Sequence, residues 1–279
     1  MSTRAALCVG INSFSYFPSY KLKGCVNDAA SLAAMASTLL DVPDEHVQLL
    51  TEGRATKARI IDSLEGLVCK ATEGVLDSIL FSFSTHGTQV PDQNGDEPDS
   101  MDEAFLPHDV MMHSDGLGWK EHSIIRDDEL FALFGRVPKE VNVEVILDTC
   151  HSGAGLCGAE FGLSRASPRY VSPPGSDLYD ATYKRAKKNR PPENPYALSP
   201  VVWAACTEGQ TCADAFLGGK YYGAFTYALG RVLRSPDGTE LRREEVLHKV
   251  SKILHGKFCQ TAQLSATKEQ KGSRILRGL

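Results

Sequence analysis

The sequence predicts an α/β domain built on a central, mostly parallel sheet flanked by helices, and three observations lead there. Short apolar runs at residues 5–11, 79–83, 141–147 and 201–205 alternate with longer segments of helical periodicity. Runs of that length, apolar at consecutive positions, suit strands buried on both faces, as in a parallel sheet. Two of them end abruptly in polar residues and glycine, STHG at 84–87 and DTCHSG at 148–153. Chemistry in open α/β sheets sits just beyond the carboxyl ends of the strands, so these two endings are the places to look.

Taken in order, Leu7, Val9 and Ile11 mark the first strand, followed by a loop carrying Phe14, Tyr16, Phe17 and Tyr20. Asn27 or Asp28 then opens a helix with Leu32, Met35, Ala36, Leu39 and Leu40 on one face, both residue types being good helix caps. Asp28 has a second reading, as a carboxylate facing the same sheet edge as Cys150. A strand at 47–50 and an amphipathic helix at 56–70 lead to the strand ending at His86. Residues 91–109 are acidic and rich in turn formers, and read as a loop. A helix at 127–136 starts on Asp127 and Asp128, favourable charges at a helix N-terminus. After the Cys150 strand, residues 164–199 are rich in Ser, Pro, Lys and Arg and read as a long exposed linker. A strand at 201–205, a Gly-rich turn, helices at 224–234 and 241–255, and a last strand at Ile275 and Leu276 complete the chain.

The 279 residues, 42% hydrophobic and 23% charged, suffice for an ample core. No apolar stretch is long enough to span a membrane and no export signal is evident, which makes a cytoplasmic protein the expectation. Eight cysteines lie singly, with no CxxC pair, so reduced thiols are expected and zinc ligation is not. A net charge of −5 argues against nucleic acid as the main partner. Asp92, Asn94, Asp96 and Glu103 match part of a calcium-loop pattern, but Glu97 stands where that loop needs Gly. GAGLCG after Cys150 matches a dinucleotide fingerprint in letters only, because it starts several residues past its strand. A hydrolase using Ser152 would need a G-x-S-x-G elbow, which is missing.

A strand-ending His and a strand-ending Cys on one sheet edge make the minimal unit of thiol nucleophilic catalysis. The imidazole favours the thiolate and later protonates the leaving amine. Backbone N–H groups of Gly87 and Cys150 are candidate donors to the oxyanion. His151 is the alternative base, disfavoured because adjacent side chains on extended backbone diverge.

His86-Gly87, DTCHSG at 148–153, LKGCVNDA at 22–29, HGTQVPDQNGDE at 86–97 and GGKYYGAFTYAL at 218–229 together resemble metacaspases, most closely the prokaryotic, prodomain-free orthocaspases. The resemblance runs from about residue 4 to residue 265. It implies a single caspase-like α/β/α sandwich with a large-subunit-like part at 1–163, the linker at 164–199 and a small-subunit-like part at 200–279. It makes Cys150 the nucleophile and His86 the general acid and base. Asp28 and Asp148 become the acidic lining of the specificity pocket, with Cys25 and Ser84 in its walls. Two carboxylates suit a guanidinium or ammonium, so cleavage after Arg or Lys in protein or peptide substrates is expected. The exposed basic residues Lys184, Arg185, Lys187, Lys188 and Arg190 then become candidates for self-processing. The resemblance also implies calcium ligands at Asp102, Asp127 and Asp128, but Cys157 stands where a further Asp is expected. Thiol is a poor calcium ligand, so no cofactor is expected to be required. The alternative, a catalytically silent scaffold, would show a broken His-Cys pair. A monomer is the expected state.

Overall fold

The computed structural model describes residues 3–92, 101–150, 166–175, 200–207 and 209–276. Six strands form the central sheet: β1 (Arg4–Gly10), β2 (Val47–Thr51), β3 (Ser78–Ser84), β7 (Asn142–Asp148), β9 (Val201–Ala204) and β12 (Gln263–Ser265). Their order is β12-β9-β7-β3-β1-β2, all parallel except β12, which runs antiparallel to β9. Side chains alternate between the two faces, so each strand feeds two cores. Leu7, Val9, Phe81, Phe83, Val143 and Val145 pack under helices α2 (Lys57–Thr72) and α3 (Asp127–Phe134). Ala6, Cys8, Leu80, Ile146 and Trp203 pack under α1 (Cys25–Leu39), α4 (Ala224–Leu233) and α5 (Arg243–Leu254). Burial on both faces is why these strands read as near-continuous apolar runs.

Two small antiparallel sheets flank the carboxyl edge. One joins β4 (Gly87–Pro91), β5 (Met101–Phe105) and β6 (Ile125–Arg126), so part of the expected loop at 91–109 is a strand. The other joins β11 (Lys220–Gly223), β10 (Ala213–Leu217) and β8 (Ser167–Pro168). The tight β10–β11 connection puts Gly218 and Gly219 at φ 58° and 90°, a conformation that favours glycine.

Three expectations need correction. Helix α1 begins at Cys25 rather than at Asn27 or Asp28, because Asn12 at the end of β1 reaches across: its Oδ1 accepts the Cys25 N–H at 2.9 Å. Asp28 is therefore in the first turn and is not the cap. Ile275 and Leu276 are buried but form no strand; Leu276 has φ 52°, which no strand accommodates, and the last strand is β12 instead. The linker is not exposed throughout, since Arg169 is wholly buried and Val171 nearly so.

Candidate active site

Strands β3 and β7 are parallel and in register, with Ser84 opposite Asp148. His86 and Cys150 therefore lie equally far beyond their strand ends, on adjacent strands spaced about 4.8 Å apart. Both are buried, and Cys150 is near enough that negative charge on its sulfur favours protonation of the imidazole. Burial outweighs this and pushes the His86 pKa down to about 4. His86 Nε2 lies 2.8 Å from the Tyr20 carbonyl, which only accepts, so Nε2 carries the proton. Nδ1, buried and without a hydrogen-bond partner, is left as the basic nitrogen.

Beside this pair is a pocket with three carboxylates. Asp148, the last residue of β7, accepts the Thr226 N–H at 2.9 Å and its hydroxyl at 2.6 Å through Oδ2. Asp28 accepts the Gly223 N–H at 3.0 Å. Asp214, on β10, accepts the N–H groups of Lys23 and Gly24, both at 2.8 Å. Cys25 belongs to the same wall: its buried thiol is held neutral by desolvation and feels the charges of Arg169 and all three aspartates. Ser84 stands across the strand from Asp148.

The pocket holds the Arg169 side chain. Its Nη2 is 2.6 Å from Asp28 Oδ2 and 3.0 Å from Asp214 Oδ1, and its Nη1 is 3.1 Å from Asp148 Oδ1 and 3.0 Å from the Asp148 carbonyl. One guanidinium does not neutralise three carboxylates, and burial pushes Asp28 up to about 7 against the pull of Arg169. The Arg169 backbone is also engaged on both sides. Its N–H donates to the Cys212 carbonyl at 3.1 Å, while its carbonyl accepts the N–H groups of Gly87 at 2.9 Å and Cys150 at 3.3 Å. These are the two donors proposed from sequence for an oxyanion. The next amide along, Val171 N–H, donates to the Gly87 carbonyl at 3.0 Å.

This fold and edge chemistry have known counterparts. A model of the metacaspase, peptidase C14 domain matches residues 4–157. The chain belongs to the metacaspase family. It is 26% identical to metacaspase-1 of Coccidioides immitis over 95% of its length and 28% identical to metacaspase-1A of Aspergillus fumigatus over the same share. It spans 61% of the first relative and 68% of the second. Among solved structures it resembles a bacterial protein from Geobacter sulfurreducens, with a TM-score of 0.67, 25% identity and 99% of each chain covered. It also resembles caspase-1 from Spodoptera frugiperda, with a TM-score of 0.60, 13% identity and 95% and 86% coverage, a likeness of fold.

In this metacaspase the Cys150 sulfur accepts the Cys212 N–H, a donor that favours the thiolate. Cys150, Cys206 and Cys212 place their sulfurs within 4.8 Å of one another, the one group among the described residues close enough to hold a metal ion jointly. Cys206 and Cys212 are kept as neutral thiols, Cys206 chiefly by its contact with Cys150 and Cys212 chiefly by burial. The carboxylates expected to bind calcium are arranged differently. Asp102 is ion-paired with Arg126, which also donates to the Pro91 carbonyl at 3.1 Å. Asp127 is buried and pushed up to about 8, first by desolvation and then by Glu103. Asp102 thus already carries a guanidinium, while Asp92 and Asp128 are near enough for their charges to push it up. Cys157 and the basic run at 184–190 lie outside the described residues.

The sequence did not single out Arg169, Asp214 or the Tyr20 carbonyl. Asp214 lies in an unremarkable ADAF run; only the fold of the β10–β11 hairpin carries it to the pocket. No helix among the described residues is long and apolar enough to cross a membrane.

Proposed function

We propose that the chain is an endopeptidase that uses a Cys150–His86 dyad to cleave after Arg or Lys. The observation that supports this best is an arginine seated in three carboxylates with its carbonyl held by the Gly87 and Cys150 N–H groups. In this reading the Cys150 thiolate attacks the carbonyl carbon and the two N–H groups receive the oxyanion as it forms. His86, held by Tyr20, takes the Cys150 thiol proton on Nδ1 as the sulfur attacks and passes that proton to the leaving amine. The thioester is then hydrolysed by a water that His86 deprotonates, regenerating the thiol pair. The aspartates select a basic side chain and repel an acidic one. The same preference keeps Lys184, Arg185, Lys187, Lys188 and Arg190 as candidate self-processing positions, and protein or peptide chains as the substrates.

The intact dyad favours this over a silent scaffold. Matched reporter peptides ending in Arg, Lys and Asp, offered to wild type and to Cys150→Ala, test it. Turnover of the Arg and Lys peptides by wild type alone is expected. Faster turnover of the Asp peptide, or turnover that survives Cys150→Ala, overturns it.

A further inference from the structure

The occupant of the pocket is part of the chain itself. Residues 167–171 lie in the cleft as an added strand: Ser167 and Pro168 pair antiparallel with Asp214 and Ala213 of β10, and Tyr170 bridges to Gly87 in parallel. An arginine kept only to neutralise buried aspartates needs its side chain there and nothing more. Here the N–H and carbonyl of Arg169 and the N–H of Val171 are all bonded to groups that line the cleft. The arrangement is that of peptide recognition by strand addition, with backbone bonds fixing the register and one pocket reading one side chain. Arg169 Nε remains buried without a partner, so its seat is not an optimised structural ion-pair site.

We propose that residues 167–171 are a tethered substrate: the Arg169–Tyr170 peptide is the first bond the enzyme cuts, and until then Arg169 blocks the site. The proposal rests on the Arg/Lys reading above and identifies the self-processing bond as one outside 184–190. In the step, Cys150 Sγ bonds to the Arg169 carbonyl carbon and the C–N bond to Tyr170 breaks. The electron pair of that bond goes to the Tyr170 nitrogen, which takes from His86 Nδ1 the proton that the Cys150 thiol gave up on attack. Water then adds to the thioester, giving an Arg169 carboxylate and free Cys150 thiol. The products are 1–169 and 170–279, the second with Tyr170 as its new N-terminus. Tethering makes the binding of Arg169 an intramolecular event. Outside substrates therefore compete poorly while the bond is whole.

The test is intact mass and N-terminal sequencing of the full chain over time, alongside Arg-peptide turnover. Wild type is expected to give the two fragments at a rate independent of protein concentration, and Cys150→Ala to stay whole. Turnover of the Arg peptide should rise about tenfold or more as cutting proceeds, as the blocked fraction falls. Tyr170→Pro should stay uncut at this bond and remain slow, since the bridge to Gly87 uses the Arg169 carbonyl and the Val171 N–H rather than the Tyr170 N–H. If that variant does not fold, Arg169→Gln serves in its place, with no cut at this bond and Arg-peptide turnover fast from the start, since the guanidinium that blocks the seat is gone. A wild type that turns over Arg peptides at full rate with this bond intact, or that is cut only within 184–190, overturns the tethered substrate and leaves the specificity standing. A wild type that prefers Asp peptides overturns both.

Discussion

Arg169 and Asp28 are 141 residues apart in sequence, yet Arg169 Nη2 and Asp28 Oδ2 meet at 2.6 Å with both side chains wholly buried. Arg169 keeps Asp148 and Asp214 when Asp28 is removed, so the loss is that of one charge-assisted hydrogen bond, about 1.5–3 kcal/mol. Asp28→Asn is therefore expected to lower kcat/KM for Arg peptides about tenfold or more. Loss of less than about fivefold would show that Asp148 and Asp214 carry the recognition without it. A pH profile gives the sign. Asp28 is pushed up to about 7, chiefly by burial and against the pull of Arg169. The ionised form binds the guanidinium, so kcat/KM should rise with pH through 7 in wild type and lose that limb in Asp28→Asn.

Gly223 shapes the same pocket through the space it leaves. Its φ is −64°, which any residue adopts, so conformation does not demand glycine there. A Cβ at this position would overlap Asp148 Oδ2 and stand 2.5 Å from Arg169 Nη1. Gly223→Ala should therefore raise KM for Arg and Lys peptides about tenfold or more while kcat changes less, because the added methyl fills the guanidinium seat and not the position of the reacting carbonyl. Unchanged KM would mean that the arginine sits elsewhere in the working enzyme.

How much of this was legible depended on whether a residue's role follows from its own strand. His86 and Cys150 end buried runs, and their juxtaposition follows from parallel pairing alone, so the sequence placed them. Asp148 shares that logic. Asp214, Gly223 and Arg169 reach the pocket through a hairpin and a strap whose register is set by backbone bonds to distant strands, and local pattern does not report those. Composition misled at Arg169 and Val171: Pro, Ser and basic residues suit a solvated linker, and the reading could not tell a solvated arginine from one seated in carboxylates. At Ile275 and Leu276, apolar character signalled core packing but said nothing of the positive φ that forbids a strand.

A second buried ion pair lies on the opposite face from α2 and α3 and concerns stability. Glu144 of β7 accepts from Arg243 of α5 at 3.0 Å through Nε and at 2.6 Å through Nη2, and also accepts the Trp203 indole N–H from β9. Arg243 Nη1 further donates to the Gln270 carbonyl at 3.0 Å. The network ties three elements together where no water reaches. Arg243→Met keeps much of the apolar stem but strands the Glu144 charge, and should cost about 3–5 kcal/mol by urea unfolding. The double variant Arg243→Met with Glu144→Gln should recover part of that loss, since the stranded charge is gone. Equal costs for the single and double variants would mean that packing, not charge, sets the value of the site.

Calcium provides the last test. Arg126 sits on Asp102 and reaches toward Glu121 at 3.7 Å, so cationic charge is already supplied within the chain where the ion was expected. A divalent ion would have to displace that guanidinium and lose part of its own hydration, with the charges of Asp92, Glu103, Asp127 and Asp128 nearby to repay the cost. The expected outcome is that a calcium chelator changes Arg-peptide turnover by less than about twofold and leaves the melting temperature in place. A tenfold loss restored by added calcium, together with a calcium-dependent rise in melting temperature that Asp127→Asn abolishes, would instead identify these carboxylates as ligands that release Arg126 on binding.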